Sequence, residues 1–120
     1  MNQLTEQVIG AAIEVHRALG PGFLESTYGK ALAIELLHRG IQFDQESPVS
    51  LSYRGESVGE GRLDFLVEGQ LILELKAVDQ FHPIHTAQAI SYLKATGHKL
   101  ALLINFNVPV LKDGIKRIAH

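Results

Sequence analysis

Two helical patterns precede the first strand pattern. Apolar side chains recur at three- and four-residue steps through residues 3–19, which predicts an amphipathic helix that ends at Gly20 and Pro21. In residues 24–36 an apolar side chain returns every four positions, and this predicts a second helix that ends at Gly40. We therefore expect two helices before any strand.

Strand patterns follow these helices. Apolar and polar residues alternate in residues 41–46 and 49–53, with Pro48 between the two segments. Residues 57–67 are predicted to form a longer strand, in which Gly59 and Gly61 indicate a bend or a close backbone approach. The last of these segments leads into a hairpin whose second strand begins after a turn at residues 68–70. The sheet is therefore expected to be antiparallel at its centre.

A helix and a buried strand are predicted after the hairpin. The helix extends from about Pro83 to Thr96, and the nearly all-apolar run at residues 100–106 is typical of a strand that is buried on both faces. A strand, a helix and a strand in this order favour a right-handed parallel crossover. We expect an α/β fold of the α+β mixed-sheet type, with helices flanking the sheet and residues 110–120 as a solvated terminal segment.

The hairpin around residues 68–70 carries the candidate chemistry. If its loop comprises these three residues, Asp64 lies directly across from Glu74 on the same face. Glu74 and Lys76 share that face because side chains alternate along a strand. A two-residue turn would instead set Asp64 opposite Leu73, so the chemistry depends on the longer loop or on a bulge.

Two facing carboxylates need a compensating charge. Their repulsion is about 3 kcal/mol at roughly 5 Å. The ammonium of Lys76, a bound divalent cation or both would compensate, and a hard ion with oxygen ligands, such as Mg²⁺, suits a pair of carboxylates. The alternative is a solvated Asp-Glu-Lys cluster that binds nothing, and these residues alone leave both interpretations open.

Length and composition limit the functional classes. A chain of 120 residues, 46% hydrophobic and 20% charged, is expected to form a single folded domain, residues 1–120. It has no long apolar run and no signal-peptide pattern, so we expect a soluble, cytoplasmic protein without a membrane partner. The absence of cysteine excludes disulfides, thiolate metal sites and cysteine nucleophiles. A net charge of −2 does not attract polyanions.

Further polar residues lie on the predicted helices. Glu25, in a first helical turn, is either a capping residue that favours the helix dipole or a carboxylate directed towards the hairpin. Gln88 and Tyr92, four positions apart, share one helix face and form either a surface pair or a part of the site. His16 and Arg17 are expected at the surface, near the C-terminal end of the first helix.

Two more groups of residues have candidate roles. His82 and His85 are three positions apart, but no third histidine or cysteine lies near them in sequence, so a zinc site is not expected. Lys112, Lys116 and Arg117 form the only notable cationic cluster. This cluster is interpreted either as a solvated terminal segment or as a set of phosphate contacts.

The order of these residues resembles a known superfamily. The PD-(D/E)xK nucleases share the pattern formed here, in chain order, by Glu25, Asp64, Glu74-Leu75-Lys76, Gln88 and Tyr92. Leu63 stands where that superfamily usually has proline. More narrowly, residues 22–28, GFLESTY, look like the motif that names the GxxExxY family of that superfamily. The similarity covers almost the whole chain.

The resemblance implies both a fold and an activity. It implies a restriction-endonuclease-like core and Mg²⁺- or Mn²⁺-dependent hydrolysis of phosphodiester bonds in nucleic acid, with DNA expected rather than RNA. Asp64, Glu74 and the backbone carbonyl of Leu75 would bind the metal, and Lys76 would orient or deprotonate the attacking water. Glu25 would hold a metal-bound water or complete the acidic ring, while Gln88 and Tyr92 would support the site or contact a phosphate.

Two alternatives to this activity remain open. One is a non-catalytic binding or assembly module that keeps the nuclease fold and acts with a partner. The other is a hydrolase of small phosphate esters that uses the same site. Since one copy of the chain offers few cations to a polyanion, a homo-oligomer or a protein partner is expected to complete nucleic-acid binding.

Overall fold

The computed structural model describes residues 2–120, and its helices follow the predicted order. Helix α1 is Asn2–Leu19 and helix α2 is Glu25–His38. Helix α3 is Pro83–Thr96, and it ends at Gly97 in the left-handed conformation. A short 3₁₀ turn occupies Leu111–Gly114. The three predicted helices are thereby confirmed, with boundaries shifted by one residue or a few.

Five strands form one mixed sheet. In chain order they are β1 (Phe43–Tyr53), β2 (Glu56–Val67), β3 (Leu71–Lys76), β4 (Leu100–Asn105) and β5 (Ile115–Ala119). Their order in the sheet is the same as their order in the chain. Strands β3 and β4 are parallel, and the other neighbouring pairs are antiparallel. The predicted mixed sheet with flanking helices is therefore confirmed, and α3 is the connection between the parallel strands.

Helices cover both faces of the sheet and define two cores. The first core joins apolar residues of α1 and α2 to one face of the sheet, including Leu73 and Leu75. The second core joins Ala89 and Leu93 of α3 to the opposite face, including Ile72. Alternation along β3 explains this division, because neighbouring side chains point to opposite faces.

Three sequence-based expectations were wrong. Strand β1 is continuous through Pro48, which is tolerated because β1 lies at the edge of the sheet and a ladder donor is dispensable there. The C-terminal segment is not merely solvated, since β5 pairs with β4 and buries Ile118. His16 is only 8% exposed, and its Nε2 lies 2.8 Å from the carbonyl oxygen of Val108, so it is not a surface residue.

Near the middle of β1 and β2, the buried side chains change from one face of the sheet to the other. Phe43 packs on the first core, whereas Val49, six positions later, belongs to the second core. On β2, Leu63 lies in the second core and Phe65 in the first. A regular strand would place each of these pairs on one face. The change accompanies a positive φ of 53° at Glu46, which places the irregularity beside Asp64 on the paired strand.

Candidate active site

The β2–β3 turn has the longer form that the site requires. Glu68 and Gly69 adopt positive φ angles of 51° and 67°, and the N–H of Gln70 donates to the carbonyl of Val67 at 3.0 Å. Val67 nevertheless pairs with Leu71, so Gln70 is an extra residue in the connection. This register confirms the three-residue loop and places Asp64 level with Glu74.

Asp64 lies where β2 and β3 separate. Their ladder extends from Val67 and Leu71 to Phe65 and Leu73. Beyond it, Asp64 Oδ2 accepts a hydrogen bond of 2.7 Å from the backbone N–H of Leu75. The carboxylate thus takes the place of a strand carbonyl, and a charge-assisted bond holds it against β3.

Glu74 is a buried carboxyl group with an unsatisfied oxygen. The residue is 5% exposed, and its Oε1 has no hydrogen-bond partner among residues 2–120. Burial raises the pKa of Glu74 to about 9, with further contributions from the negative charge of Asp64 and from a hydrogen bond between the two carboxyl groups. Lys76 opposes this increase. Without a ligand, Glu74 is therefore protonated at neutral pH.

This pKa predicts how the stability of the metal-free protein depends on pH. The folded pKa of Glu74 is about 9 and the ordinary value is 4.5, so the folded state retains a proton that the unfolded chain loses. The resulting stabilisation is complete below the lower pKa and is lost as pH rises towards the upper one, with a slope of at most about 1.4 kcal/mol per pH unit.

Urea unfolding in EDTA at several pH values across that window measures the effect. Glu74→Gln imitates the protonated form and should weaken the decline in unfolding free energy. Equal slopes for the wild-type protein and the variant would contradict the assignment.

Lys76 ends β3 beside the two carboxyl groups. It is half-buried and pairs in register with Asn105 of β4. Its charge lowers the pKa of Glu74, so the ammonium acts directly on the carboxyl group that faces the same side of the strand. The structure thus brings together the Asp64, Glu74 and Lys76 side chains that the hairpin pattern predicts.

Glu25 lies at the N-terminus of α2 and shares a cavity with Asp64. The cavity, of about 290 Å³, is also lined by Leu75 and by Lys30. Glu25 itself is exposed, and no side chain caps its helix. The carboxylate is therefore at the rim of the site, whereas Asp64 is further inside.

The glycine and the tyrosine of the GFLESTY segment shape and anchor the loop before α2. Gly22 has a φ of 104°, which L side chains rarely adopt. The Tyr28 hydroxyl donates to the carbonyl of Gly20 at 2.6 Å and accepts from the N–H of Phe23 at 3.2 Å. The Tyr28 ring is fully buried and stacks on Phe106, with centroids 4.5 Å apart. Tyr28 thus anchors the loop that leads into the first turn of α2, where Glu25 lies.

Removing that hydroxyl should weaken the protein modestly. Tyr28→Phe keeps the ring stack and loses two hydrogen bonds, so we expect a loss of about 1 to 2 kcal/mol in unfolding free energy. Tyr53→Phe is the matched control, because Tyr53 is 65% exposed. Urea denaturation of both variants measures the difference, and equal stabilities would contradict an anchoring role for the hydroxyl.

Helix α3 brings Tyr92 to the opposite side of Asp64. A Cβ at Gly61 would lie 2.7 Å from the Tyr92 ring, so only glycine leaves room for the tyrosine there. Tyr92 and Asp64 line a second cavity, of about 550 Å³, together with Arg62. Gln88 is exposed, one turn before Tyr92 on the same helix. Asp64 is therefore accessible from two sides.

Glu46 also lies at the site, although little in the sequence indicated this. It lines both cavities that contain Asp64, and it lies 3.6 Å from Arg62 in an exposed ion pair. Its positive φ is uncommon for a residue other than glycine. The only local feature of the sequence that could have drawn attention to Glu46 is its position two residues before Pro48, where the regular strand pattern is interrupted.

The predicted cationic cluster does not form one patch. Lys116 donates to Thr86 of α3 at 3.0 Å, whereas Arg117 donates to Asn2 of α1 at 2.9 Å, because neighbouring residues of β5 point to opposite faces. Lys112 lines a separate cavity next to His16. The cations near the candidate site are instead Lys30 and Arg62, which share cavities with Asp64, and Lys76, whose charge acts on Glu74.

Two features are absent from residues 2–120. No group of three or more histidine, aspartate or glutamate side chains is arranged so that it could hold a metal ion. No helix combines the length and the apolar character needed to cross a membrane. A cavity of about 660 Å³ beside Leu37 and Phe43 contains none of the predicted site residues.

Comparison with known proteins gives one match. A family model described as the PD-(D/E)XK nuclease superfamily matches residues 2–118. No curated protein and no solved structure matches the chain. The match includes all three helices and strands β1 to β4 in full, and it ends one residue before the end of β5.

Proposed function

Because the chain belongs to the PD-(D/E)XK nuclease superfamily, we propose that it is a metal-dependent nuclease of the GxxExxY type that hydrolyses phosphodiester bonds of nucleic acid, DNA in preference to RNA. One observation carries this proposal. The buried Oε1 of Glu74 has no hydrogen-bond partner and lies beside a second carboxyl group, that of Asp64. A buried carboxyl oxygen without a partner is costly unless a ligand completes it.

The residues present fit Mg²⁺ or Mn²⁺. Asp64 and Glu74 offer carboxylate oxygens, and the backbone carbonyl of Leu75 would supply a third, which are the ligands that hard divalent ions prefer. Two protein carboxylates are sufficient for Mg²⁺, which usually keeps several waters. Bound there, the ion would polarise the phosphoryl oxygen and stabilise charge on the leaving oxygen.

Lys76 has the clearest chemical role among the residues of the chain. Its ammonium cannot bind a cation while it is protonated, and its charge acts on the carboxyl group of Glu74. We assign two possible steps to its Nζ: as an ammonium it would orient the attacking water, and as a neutral amine it would accept a proton from that water. The hydrogen bond from the N–H of Leu75 would hold the Asp64 carboxylate in position to bind the metal.

Residues at the rim would bind the substrate. Glu25 would support the acidic end of the site from the cavity that it shares with Asp64. Gln88 and Tyr92 would contact a phosphate from the α3 side, with Arg62 as a cation in the second cavity. These roles are supported by the two cavities that Asp64 shares with Glu25 and with Tyr92.

The alternative is a nuclease-fold binding or assembly module that does not cleave and acts with a partner. A net charge of −2 and the dispersal of Lys112, Lys116 and Arg117 over different faces favour it, because little positive surface is available to hold a polyanion. The same observations predict that a nuclease of this sequence binds nucleic acid as a homo-oligomer or with a protein partner.

A cleavage assay tests the proposal. The purified protein is incubated with single- and double-stranded DNA oligonucleotides in Mg²⁺, in Mn²⁺ and in EDTA, and its mass in solution is measured in parallel. We expect metal-dependent cleavage by the wild-type protein that Asp64→Asn abolishes. Glu14→Gln is the control, because Glu14 is on α1 and pairs with Arg17.

Other outcomes would identify the alternatives. Binding of DNA without cleavage in either metal would support the non-catalytic module. Hydrolysis of a chromogenic phosphodiester without cleavage of any polynucleotide, RNA included, would identify a hydrolase of small esters.

A further inference from the structure

Asp64 lies between two cavities that share a wall. The cavity of about 290 Å³ is on the α2 side, and the cavity of about 550 Å³ is on the α3 side, where Tyr92 lines it. Within residues 2–120, only Asp64 and Glu46 line both cavities. The two cavities are therefore neighbouring parts of one surface that crosses the Asp64 carboxylate.

One cation lines each cavity. Lys30 of α2 lines the smaller cavity, and Arg62 of β2 lines the larger one. Lys30 is exposed, and no carboxylate within residues 2–120 lies close enough to form an ion pair with its ammonium, although Glu25 and Asp64 line the same cavity. The charge of Lys30 is therefore available to a ligand.

The packing of α2 determines where Lys30 lies. The preceding residue, Gly29, is buried, and a Cβ there would lie 3.6 Å from Nε2 of Gln45 on β1 and 4.0 Å from Cδ1 of Leu75 on β3. Leu75 is also the residue whose N–H donates to Asp64. The backbone at Lys30 is thus held beside the site, and its flexible side chain can reach a ligand there.

Arg62 is placed by its own strand, and Glu46 competes for its charge. Arg62 is two positions before Asp64 on β2, which is roughly 7 Å along a strand. Its Nη1 lies 3.6 Å from Oε1 of Glu46, and the two side chains are 67% and 68% exposed. An exposed ion pair of this kind is weak, so a phosphate oxygen can displace the carboxylate. Glu46 therefore opposes an anion at the place where the two cavities meet.

We infer that a strand of nucleic acid crosses Asp64 from one cavity to the other, with Arg62 and Lys30 as the contacts for the phosphates on either side of the cleaved bond. This inference rests on the proposed function for the class of substrate. Glu46 lies under the strand and lowers its affinity, because its carboxylate pairs with Arg62 and repels the phosphates. Carboxylates outnumber cations in both cavities, so each of the two cations has a measurable share in binding.

Substitutions that each remove one charge test this strand path. Lys30→Gln and Arg62→Gln remove the two contacts, and Glu46→Gln removes the opposing carboxylate. All three side chains are exposed, so the fold should be retained, and thermal unfolding checks this. Lys99→Gln is the control for a lost cation, because Lys99 is exposed at the end of the sheet opposite to the site. Glu14→Gln is the control for a lost carboxylate, since Glu14 also pairs with an arginine.

The readout is the binding of a short, fluorescein-labelled single-stranded DNA oligonucleotide, measured by fluorescence anisotropy in EDTA over a series of salt concentrations. Neither metal nor cleavage is then required. At low salt, Lys30→Gln and Arg62→Gln should each bind about fivefold more weakly, the upper end for an exposed ion pair, and Glu46→Gln about two- to fivefold more tightly. The slope of log K against log salt should become shallower by about 0.7 for each cation removed and by about 1.4 in the double variant.

Both controls should bind like the wild-type protein. Equal losses in Lys30→Gln and Lys99→Gln would show that only the overall charge matters, and the strand path would then be wrong. An unchanged salt slope in Lys30→Gln, or no measurable binding even by Glu46→Gln, would also overturn it.

The outcomes separate the strand path from the proposed hydrolysis. The expected order of affinities without cleavage in Mg²⁺ or Mn²⁺ would support the path and reject the hydrolysis. Metal-dependent cleavage by the wild-type protein, together with wild-type affinity in Lys30→Gln and Arg62→Gln, would reject the path and leave the hydrolysis standing.

Discussion

Lys76→Ala should lower turnover by about 10²- to 10⁴-fold, the usual contribution of a positioned group that handles a proton. Metal affinity should change much less. The ammonium offers no lone pair to a cation, and its removal has two opposing effects: it removes a repulsion towards the metal, and it raises the pKa of Glu74 further. Cleavage kinetics and calorimetric titration with Mn²⁺ measure the two quantities on the same sample.

Lys76→Arg makes this prediction specific. A guanidinium keeps the positive charge, but it does not release a proton and has a different shape, so activity should not return. Lys94→Ala, on an exposed position of α3, is the matched control and should cleave like the wild-type protein. Full activity in Lys76→Arg would show that Lys76 contributes only charge.

Asp64→Asn combined with Glu74→Gln should abolish Mg²⁺ and Mn²⁺ binding, and with it all cleavage. The double variant replaces both carboxyl groups by amides and keeps the shape of both side chains, and neutral amides are much weaker ligands for a hard cation than carboxylates. Because Glu74 is protonated in the metal-free protein, its replacement by glutamine should leave the fold intact. Calorimetry for the metal and circular dichroism for the fold measure these outcomes.

Proton release provides an independent check of the same site. A metal that binds Glu74 at neutral pH must displace the proton held by its raised pKa, so the wild-type binding enthalpy should depend on the ionisation enthalpy of the buffer. Glu6→Gln combined with Asp79→Asn is the matched control, since both residues are exposed. Metal affinity that survives in the Asp64 and Glu74 double variant would remove this site from the proposal.

The helices and β4 could be predicted from the sequence because each buries a continuous apolar surface. The four-residue apolar repeat of α2 corresponds to its buried residues Tyr28, Leu32 and Leu36. The all-apolar run in β4 corresponds to a strand buried along its whole length between β3 and β5. In these elements, local periodicity and tertiary burial agree.

Strand β5 could not be predicted in the same way. Ile115 packs against the first core and Ile118 belongs to the second, so its apolar residues serve opposite faces and are three positions apart. That spacing does not match a one-sided strand, and a segment of 5 residues is too short to show a repeat. The burial of His16 could not be predicted either, because its hydrogen-bond partner, the carbonyl of Val108, is 92 positions away in sequence.

The sequence allowed two registers for the hairpin, and the cores decided between them. In the observed register, Phe65, Val67, Leu71 and Leu73 all belong to the first core. A slip of one residue would turn one strand's apolar side chains towards the wrong face. Turn chemistry at Glu68 and Gly69 was compatible with either register, so burial made the choice.

The chemistry of the site divides in the same way. The sequence by itself determined which residue types are present, their order, and that Glu74 and Lys76 share a face, because strand alternation is local. Only the tertiary structure decided that Asp64 turns towards the N–H of Leu75, since the side chains of β2 change from one core to the other between Leu63 and Phe65. Only packing decided that Glu74 is buried and protonated, because that burial comes from distant elements of the chain, and desolvation has no signature in sequence spacing.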